Sequence, residues 1–378
     1  MANRRLFYTA LGGLASYQVA RMVKKYSHPL RTINHQERLL DDVSIEHRLN
    51  WIKEETFDQQ WTEELWPYLS ARKRTGSLIT GGYQLMYDFY PVKDPKITVL
   101  VVHGYNEYKE KYAEIIYYLL QANIQVLVYD QRGHGYSKLS EKNTQINTGD
   151  FRDYVADLHL MVTEARHISE TQTALWLLGH SMGGAIASRF AQAYPSLIDG
   201  LVLSVPMFDI EMGNLPTSLI HLYVDFAQKL GYGHHYIPTT IDKKNDMAHL
   251  CYRPDNHLTN SKVRGEHFFK LNYQLHRYPT KLGSNNWLKA ALDMLQVINN
   301  PVNIAKMSMP TLLFRAGQDK LVTSQGLANL AYYLPNSLNY VLPESKHEIL
   351  LSEDNQLQAI IQTIIHYIEQ NSDDGIAK

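Results

Sequence analysis

The chain has 378 residues, with 37 Lys and Arg against 38 Asp and Glu, so it carries no bulk field that would recruit nucleic acid or steer an acidic partner. A content of 44% hydrophobic and 20% charged residues is that of a globular protein able to bury a sizeable core, which excludes the disordered, collagen-like and disulfide-dense classes. The single cysteine, Cys251, cannot form an internal disulfide and is read as structural; this suits a reducing compartment without excluding export.

Taken in chain order, the first feature is the uncharged run LFYTALGGLASYQVA between Arg5 and Arg21. At roughly 15 residues it falls short of the about 20 that a helix needs to cross a bilayer. A signal-like segment, an interfacial anchor or a docking helix fits it, so residues 1–34 are expected to form a targeting or membrane-contact segment. Residues 35–72 are polar and helix-compatible, with Trp51, Trp61, Trp66 and Tyr68 available to pack them on the main body as an N-terminal helical extension.

From residue 83 the pattern changes. YQLMYDFYP (83–91) alternates like a half-exposed strand, whereas ITVLVVH (97–103) and IQVLVYD (124–130) are continuous apolar runs suited to a sheet covered on both faces. Similar runs recur at 174–179, 201–206, 311–317 and 338–344, separated mostly by helix-period segments such as 109–122 and 151–168. Alternating strand and helix signals predict an α/β fold with a mostly parallel central sheet and helices on both faces, built from residues 73–206 and 301–372.

Residues 207–300 break the rhythm. Roughly 95 residues without a buried-strand signal are too long for a structureless connection, so this interval is expected to be an inserted helical cap, or lid. Its first helix reads as Asn214 cap, Pro216 in the first turn and Gly231 as stop, with Leu219, Leu222, Tyr223, Phe226 and Leu230 on one stripe packed against the core or lining a pocket.

The chemistry centres on Gly179-His180-Ser181-Met182-Gly183, a G-x-S-x-G sequence between an apolar strand run and an Ala-rich helical segment. That context calls for a sharp strand-turn-helix bend presenting Ser181 at the C-terminal edge of the sheet, where open α/β sheets bind ligands. A serine hydroxyl needs a base and an acid to orient it, in the chain order Ser, Asp or Glu, His. Asp319 and His347 each follow a strand run; Glu344 and Asp354 compete with Asp319, which is favoured because it directly follows a strand and a Gly-containing turn. The backbone amides of Met182 and of Tyr105, in the loop after the first central strand, are the candidate oxyanion donors. DQRGHGYS (130–137) is assigned a supporting role beneath that loop. His234, His235, His249, His257 and His267 lack metal-ligand spacing, and no nucleotide-binding glycine loop is present in the sequence, so no metal or cofactor is expected.

Together VVHGYNEYKEKYAEI, VLVYDQRGHGYS, DFRDYVADL, LLGHSMGGAIA, LVLSVPMF, FRAGQDKLV and SKHEILLSED resemble the serine α/β-hydrolases that include monoacylglycerol lipases and bacterial lysophospholipases, over roughly residues 40–370. DFRDYVADL, VPMF and HEILLSED bring the chain nearer to the lysophospholipase branch. The resemblance implies a Ser181–Asp319–His347 triad, oxyanion amides at Tyr105 and Met182, a cap over an acyl-chain pocket, no cofactor, and association with the bacterial cytoplasm or inner-membrane surface. The expected activity is release of fatty acid from lysophospholipids or monoacylglycerols, single-acyl-chain lipids, through an acyl-enzyme; acyl transfer or broad esterase action on the same triad is the alternative. Tyr105 departs from the small residue of many relatives, and its side chain has to point away from the pocket or narrow it.

Overall fold

A computed structural model describes residues 37–40, 47–169, 171–213, 215–238, 252–276 and 279–372. The N-terminal segment 1–34 and the positions Asn214, His249 and Cys251 lie outside the described residues. The strands are β1 (Glu37–Leu39), β2 (Arg74–Thr80), β3 (Tyr83–Tyr90), β4 (Ile97–Val102), β5 (Gln125–Tyr129), β6 (Gln145–Ile146), β7 (Ala174–His180), β8 (Gly200–Ser204), β9 (Leu282–Gly283), β10 (Thr311–Ala316) and β11 (Ser337–Leu342). The principal helices are α1 (Ala113–Gln121), α2 (Arg152–Ile168), α3 (Met182–Ala193), α4 (Thr217–Lys229), α5 (Lys262–Leu275), α6 (Asn285–Ile298), α7 (Ser324–Tyr333) and α8 (Asp354–Ser372).

Nine strands form one sheet in the order β1-β11-β10-β8-β7-β4-β5-β3-β2, parallel from β1 through β5 and closed by the antiparallel β3 and β2. Val99, Leu100, Val101 and Val102 of β4 are buried without interruption because helices cover both faces: α1 packs with α8, and α2 with α3. The chain leaves β4 toward β5 and leaves β7 in the opposite direction toward β8. Their C-terminal ends therefore flank the crevice at which a doubly wound sheet binds its ligand.

Two elements differ from expectation. Residues 35–72 contain helical turns over Phe57–Gln60, Trp61–Leu65 and Trp66–Ser70, but Glu37–Leu39 pairs in parallel with β11 as an edge strand. Three polar-leaning residues carry no strand pattern of their own; the unpaired edge of β11 supplies the partner. Helix α4 stops before Gly231 at φ +81°, as expected, but Pro216 is its N-cap and not a residue of its first turn, and its stripe is turned outward: Leu219, Leu222, Tyr223, Phe226 and Leu230 are exposed. The buried face is Ile220, Val224 and Ala227, which packs the helix on α6. The helix is apolar on both sides, and periodicity alone does not say which side meets the protein.

Candidate active site

Strand β7 runs into α3 through Ser181, which takes φ +50°, ψ −120°, a conformation that costs an L-residue about 1–3 kcal/mol. The turn is held from both sides: the Ser181 N–H donates to the Ser204 carbonyl at 3.0 Å, and the Ser181 carbonyl accepts from Met207 N–H at 2.8 Å. The glycines follow from close approach. A Cβ on Gly179 would lie 2.7 Å from Gly184 Cα, and one on Gly183 would run into the Val102 carbonyl oxygen. Only glycine at position 183 fits against the end of β4.

His347, in the loop after β11, places Nε2 2.9 Å from Ser181 Oγ and Nδ1 2.6 Å from Asp319 Oδ2. A carboxylate only accepts, so Nδ1 carries the proton and the Nε2 lone pair faces the serine hydroxyl. Asp319 sits past β10, and its other oxygen, Oδ1, accepts the N–H groups of Leu321 at 2.7 Å and Val322 at 3.1 Å. Burial opposes charge on His347, but the Asp319 hydrogen bond and charge outweigh it and hold the imidazole above its ordinary pKa. Burial likewise disfavours the Asp319 carboxylate, and the bond from His347 overcomes it, leaving its pKa below the ordinary value.

The competing acids are elsewhere. Glu344 meets the Gln318 amide at 2.7 Å, and Asp354 binds Arg264 at 2.9 Å at the start of α8.

The loop after β4 abuts the serine, since a Cβ on Gly104 would lie 3.2 Å from Ser181 Cβ. His103 fixes that loop: Nε2 accepts the Gln131 N–H at 3.0 Å, so Nδ1–H donates to the Gly104 carbonyl at 2.8 Å. Burial lowers the His103 pKa to about 4, which keeps it neutral in this role. In a trans peptide C=O and N–H point oppositely, so the bond that holds the Gly104 carbonyl also sets the direction of the Tyr105 N–H. Met182 opens α3, where an N–H has no acceptor within the helix. The Tyr105 ring packs on Trp287 of α6, with ring centroids 4.4 Å apart. The 130–137 stretch braces this region from below through Gln131 and through Arg132, which grips Asp157 with two bonds of 2.6 Å.

Behind the triad lies a group of buried charges that sequence reading passed over. Lys111 Nζ is 2.8 Å from Glu107 Oε1 and 2.5 Å from Glu348 Oε2. His180 Nε2 is 3.2 Å from Glu348 Oε2 and 3.6 Å from Glu107 Oε1, while Glu107 Oε2 accepts the Gly104 N–H and the Tyr112 hydroxyl, each at 2.8 Å. Glu107, His180 and Glu348 are near enough together to ligate a cation, but the Lys111 ammonium already occupies the position between the carboxylates. The Glu107/Lys111 spacing of four in EYKEKY was the available signal; a charged run before a helix reads as a solvated face unless its burial is known.

Residues 93–355 match the family described as serine aminopeptidase, S33. The chain belongs to that family. The chain is similar to a Haemophilus influenzae protein described as a probable lysophospholipase L2, 27% identical over 277 residues, an alignment covering 72% of this chain and 84% of the relative. A monoacylglycerol lipase of Mycolicibacterium smegmatis is 31% identical over 39% of this chain, which spans about half, 51%, of that protein. The solved structure of a soluble variant of monoglyceride lipase from Saccharomyces cerevisiae, in complex with a substrate analogue, gives a TM-score of 0.62 at 18% identity, covering 79% of this chain and 95% of that one. The fold is that of the α/β-hydrolases, and this S33-family chain is a serine hydrolase.

Proposed function

We propose that the protein is a carboxylic ester hydrolase that releases the fatty acid from lysophospholipids or monoacylglycerols, with Ser181, His347 and Asp319 as its triad. The observation that carries this reading is the continuous relay from Ser181 Oγ through His347 to Asp319, at 2.9 and 2.6 Å. Ser181 attacks the acyl carbonyl as His347 Nε2 takes its proton; the Met182 and Tyr105 amides receive the developing oxyanion; His347 then returns the proton to the leaving glycerol oxygen, and water repeats the cycle on the acyl-enzyme. Asp319 holds the tautomer and stabilises the imidazolium. The H. influenzae and M. smegmatis relatives, described as a lysophospholipase and a monoacylglycerol lipase, support the substrate class.

A lipid surface is the partner that suits the outward stripe of α4. Leu222 is 65% and Phe226 60% exposed there, as a helix lying on the headgroup region of a membrane requires. Among the described residues no helix is long and apolar enough to cross a membrane. Attachment at the bacterial inner-membrane surface, aided by residues 1–34, completes the reading.

The deciding measurement is fatty-acid release from lysophosphatidylcholine, lysophosphatidylethanolamine, a monoacylglycerol and a peptide amide, each with a glycerolipid acceptor present. Free fatty acid from the first three supports the proposal; cleavage of the amide alone, or transfer of the acyl group to the acceptor, overturns it.

A further inference from the structure

The charged group behind the triad is joined to all three segments on which the reaction would depend. Glu107 holds the Gly104 N–H of the loop after β4. His180 immediately precedes Ser181 on β7, and its ring centroid is 5.1 Å from that of His347. Glu348 immediately follows His347 in the chain. Lys111 ties Glu107 to Glu348, and the side chains of all four residues are buried. Burying two carboxylates is costly unless each is compensated, and removing one partner of such a group leaves an uncompensated buried charge beside its neighbours.

We propose that Lys111 and Glu348 are positioning residues: the pair locks the His347 loop to the Gly104–Tyr105 loop, and its balance of charge sets the basicity of His347. The inference rests on the hydrolase reading of the triad. His347 bonds Asp319 and the Ser181 hydroxyl, its ring lies 5.1 Å from that of His180, and the charges of Glu348 and Lys111 act on it. Around the Lys111 ammonium stand the Glu107 and Glu348 carboxylates and the rings of Tyr112 and Phe268, at 5.4 and 5.5 Å. Within this set Glu348 favours the imidazolium and Lys111 opposes it, so removing one or the other has opposite consequences for proton affinity. A purely structural brace would loosen the site in both cases and leave the titration where it was.

The test uses the rate at which a fluorophosphonate probe phosphonylates the full-length protein as a function of pH. Phosphonylation needs neutral His347 and an intact oxyanion site but no knowledge of the lipid. Glu348→Gln keeps the shape and removes a negative charge, so the acidic limb is expected to move down by roughly 1 pH unit. Lys111→Met strips the positive charge and leaves both carboxylates unbalanced, moving the limb up by a similar amount. Since Lys111→Met can fail to fold, Glu348→Gln and Lys111→Arg keep the question open to measurement; Lys111→Arg preserves the cation and is expected to hold the limb within a few tenths of the parent. For the lipid ester, the Met and Gln variants are expected to lower kcat at least tenfold with KM nearly unchanged. A limb that stays fixed in Glu348→Gln, or one that moves upward there, overturns the proposal. An unlabelled parent protein overturns the hydrolase reading itself, an outcome distinct from a labelled parent whose limb ignores position 348.

Discussion

His347 carries the whole proton traffic of the proposed reaction, and its surroundings make two results measurable. Replacing Ser181 with Ala is expected to abolish fluorophosphonate labelling and lower kcat by a factor on the order of 10⁶, and Asp319→Asn by about 10⁴, because the asparagine can present its amide to Nδ1 and favour the wrong tautomer. The folding of both variants would be checked by circular dichroism, and labelling of Ser181→Ala would sink the assignment. Because Asp319 raises His347 above the ordinary imidazole value and the base must be neutral to act, kcat/KM should rise through an acidic midpoint above about 6.5. A midpoint below that value would mean that another group titrates.

Among the elements, α4 and α5 meet their surroundings in different ways. In α5, Arg264 is almost wholly buried and reaches Glu114 of α1 with two bonds of 2.9 and 2.8 Å, Asp354 of α8 at 2.9 Å and the Ile52 carbonyl at 3.1 Å. One guanidinium thus joins α5 to α1, α8 and the segment at Ile52. Arg264→Met should destabilise the protein by about 3–5 kcal/mol, since it leaves Glu114 buried without its partner, and a urea titration measures it. Loss below about 1 kcal/mol would show that Glu114 finds another cation. In α4 the exposed pair invites the opposite experiment: the double substitution Leu222→Ser, Phe226→Ser should leave the urea midpoint almost unchanged while reducing co-sedimentation with anionic vesicles several-fold. Unaltered vesicle binding would assign membrane contact to another part of the chain.

Across the molecule, three buried groups at the site contribute to the pH dependence of stability with opposite signs. Burial disfavours the Asp319 and Glu348 carboxylates, but the His347 hydrogen bond in the first case and the Lys111 charge in the second leave both below their ordinary pKa values. Their stabilisation is complete above the unfolded carboxylate range near 4 and is lost as pH falls through the depressed folded values. His347 behaves conversely: despite burial its folded pKa is raised, so its contribution is complete below about 6.5 and is lost as pH rises through the folded value. Four buried imidazoles, His103, His134, His267 and His276, are lowered by burial to about 4, 3, 4 and 4, so their contribution is lost as pH falls below about 6.5 and the urea midpoint should decline on that acidic side. The His347 contribution is read from the difference between parent and His347→Gln midpoints, which should change in the parent's disfavour as pH rises above about 6.5; a difference that stays constant across that range would assign the effect to a different residue.

Much of this protein was legible in local sequence because the signals involved are local. Continuous apolar runs mark strands that are covered on both faces, and Gly179 and Gly183 around Ser181 mark a bend in which a Cβ would collide with the next element. The chain order of Ser181, Asp319 and His347 after strand ends was enough to nominate them, and the structure brings those three together. Other features required the third dimension. Glu37–Leu39 is a strand only because β11 offers an open edge, and α4 has two apolar faces whose choice depends on where α6 lies. The Glu107, Lys111, His180 and Glu348 group draws on three separate segments of the chain, and a charge reveals its burial only when the surrounding segments have closed over it. Sequence by itself settled which residues could form strands, bends and a nucleophile, since those follow from backbone sterics and side-chain polarity within a few positions. Tertiary structure alone decided which charges lost their water, because desolvation depends on atoms brought near from distant parts of the chain.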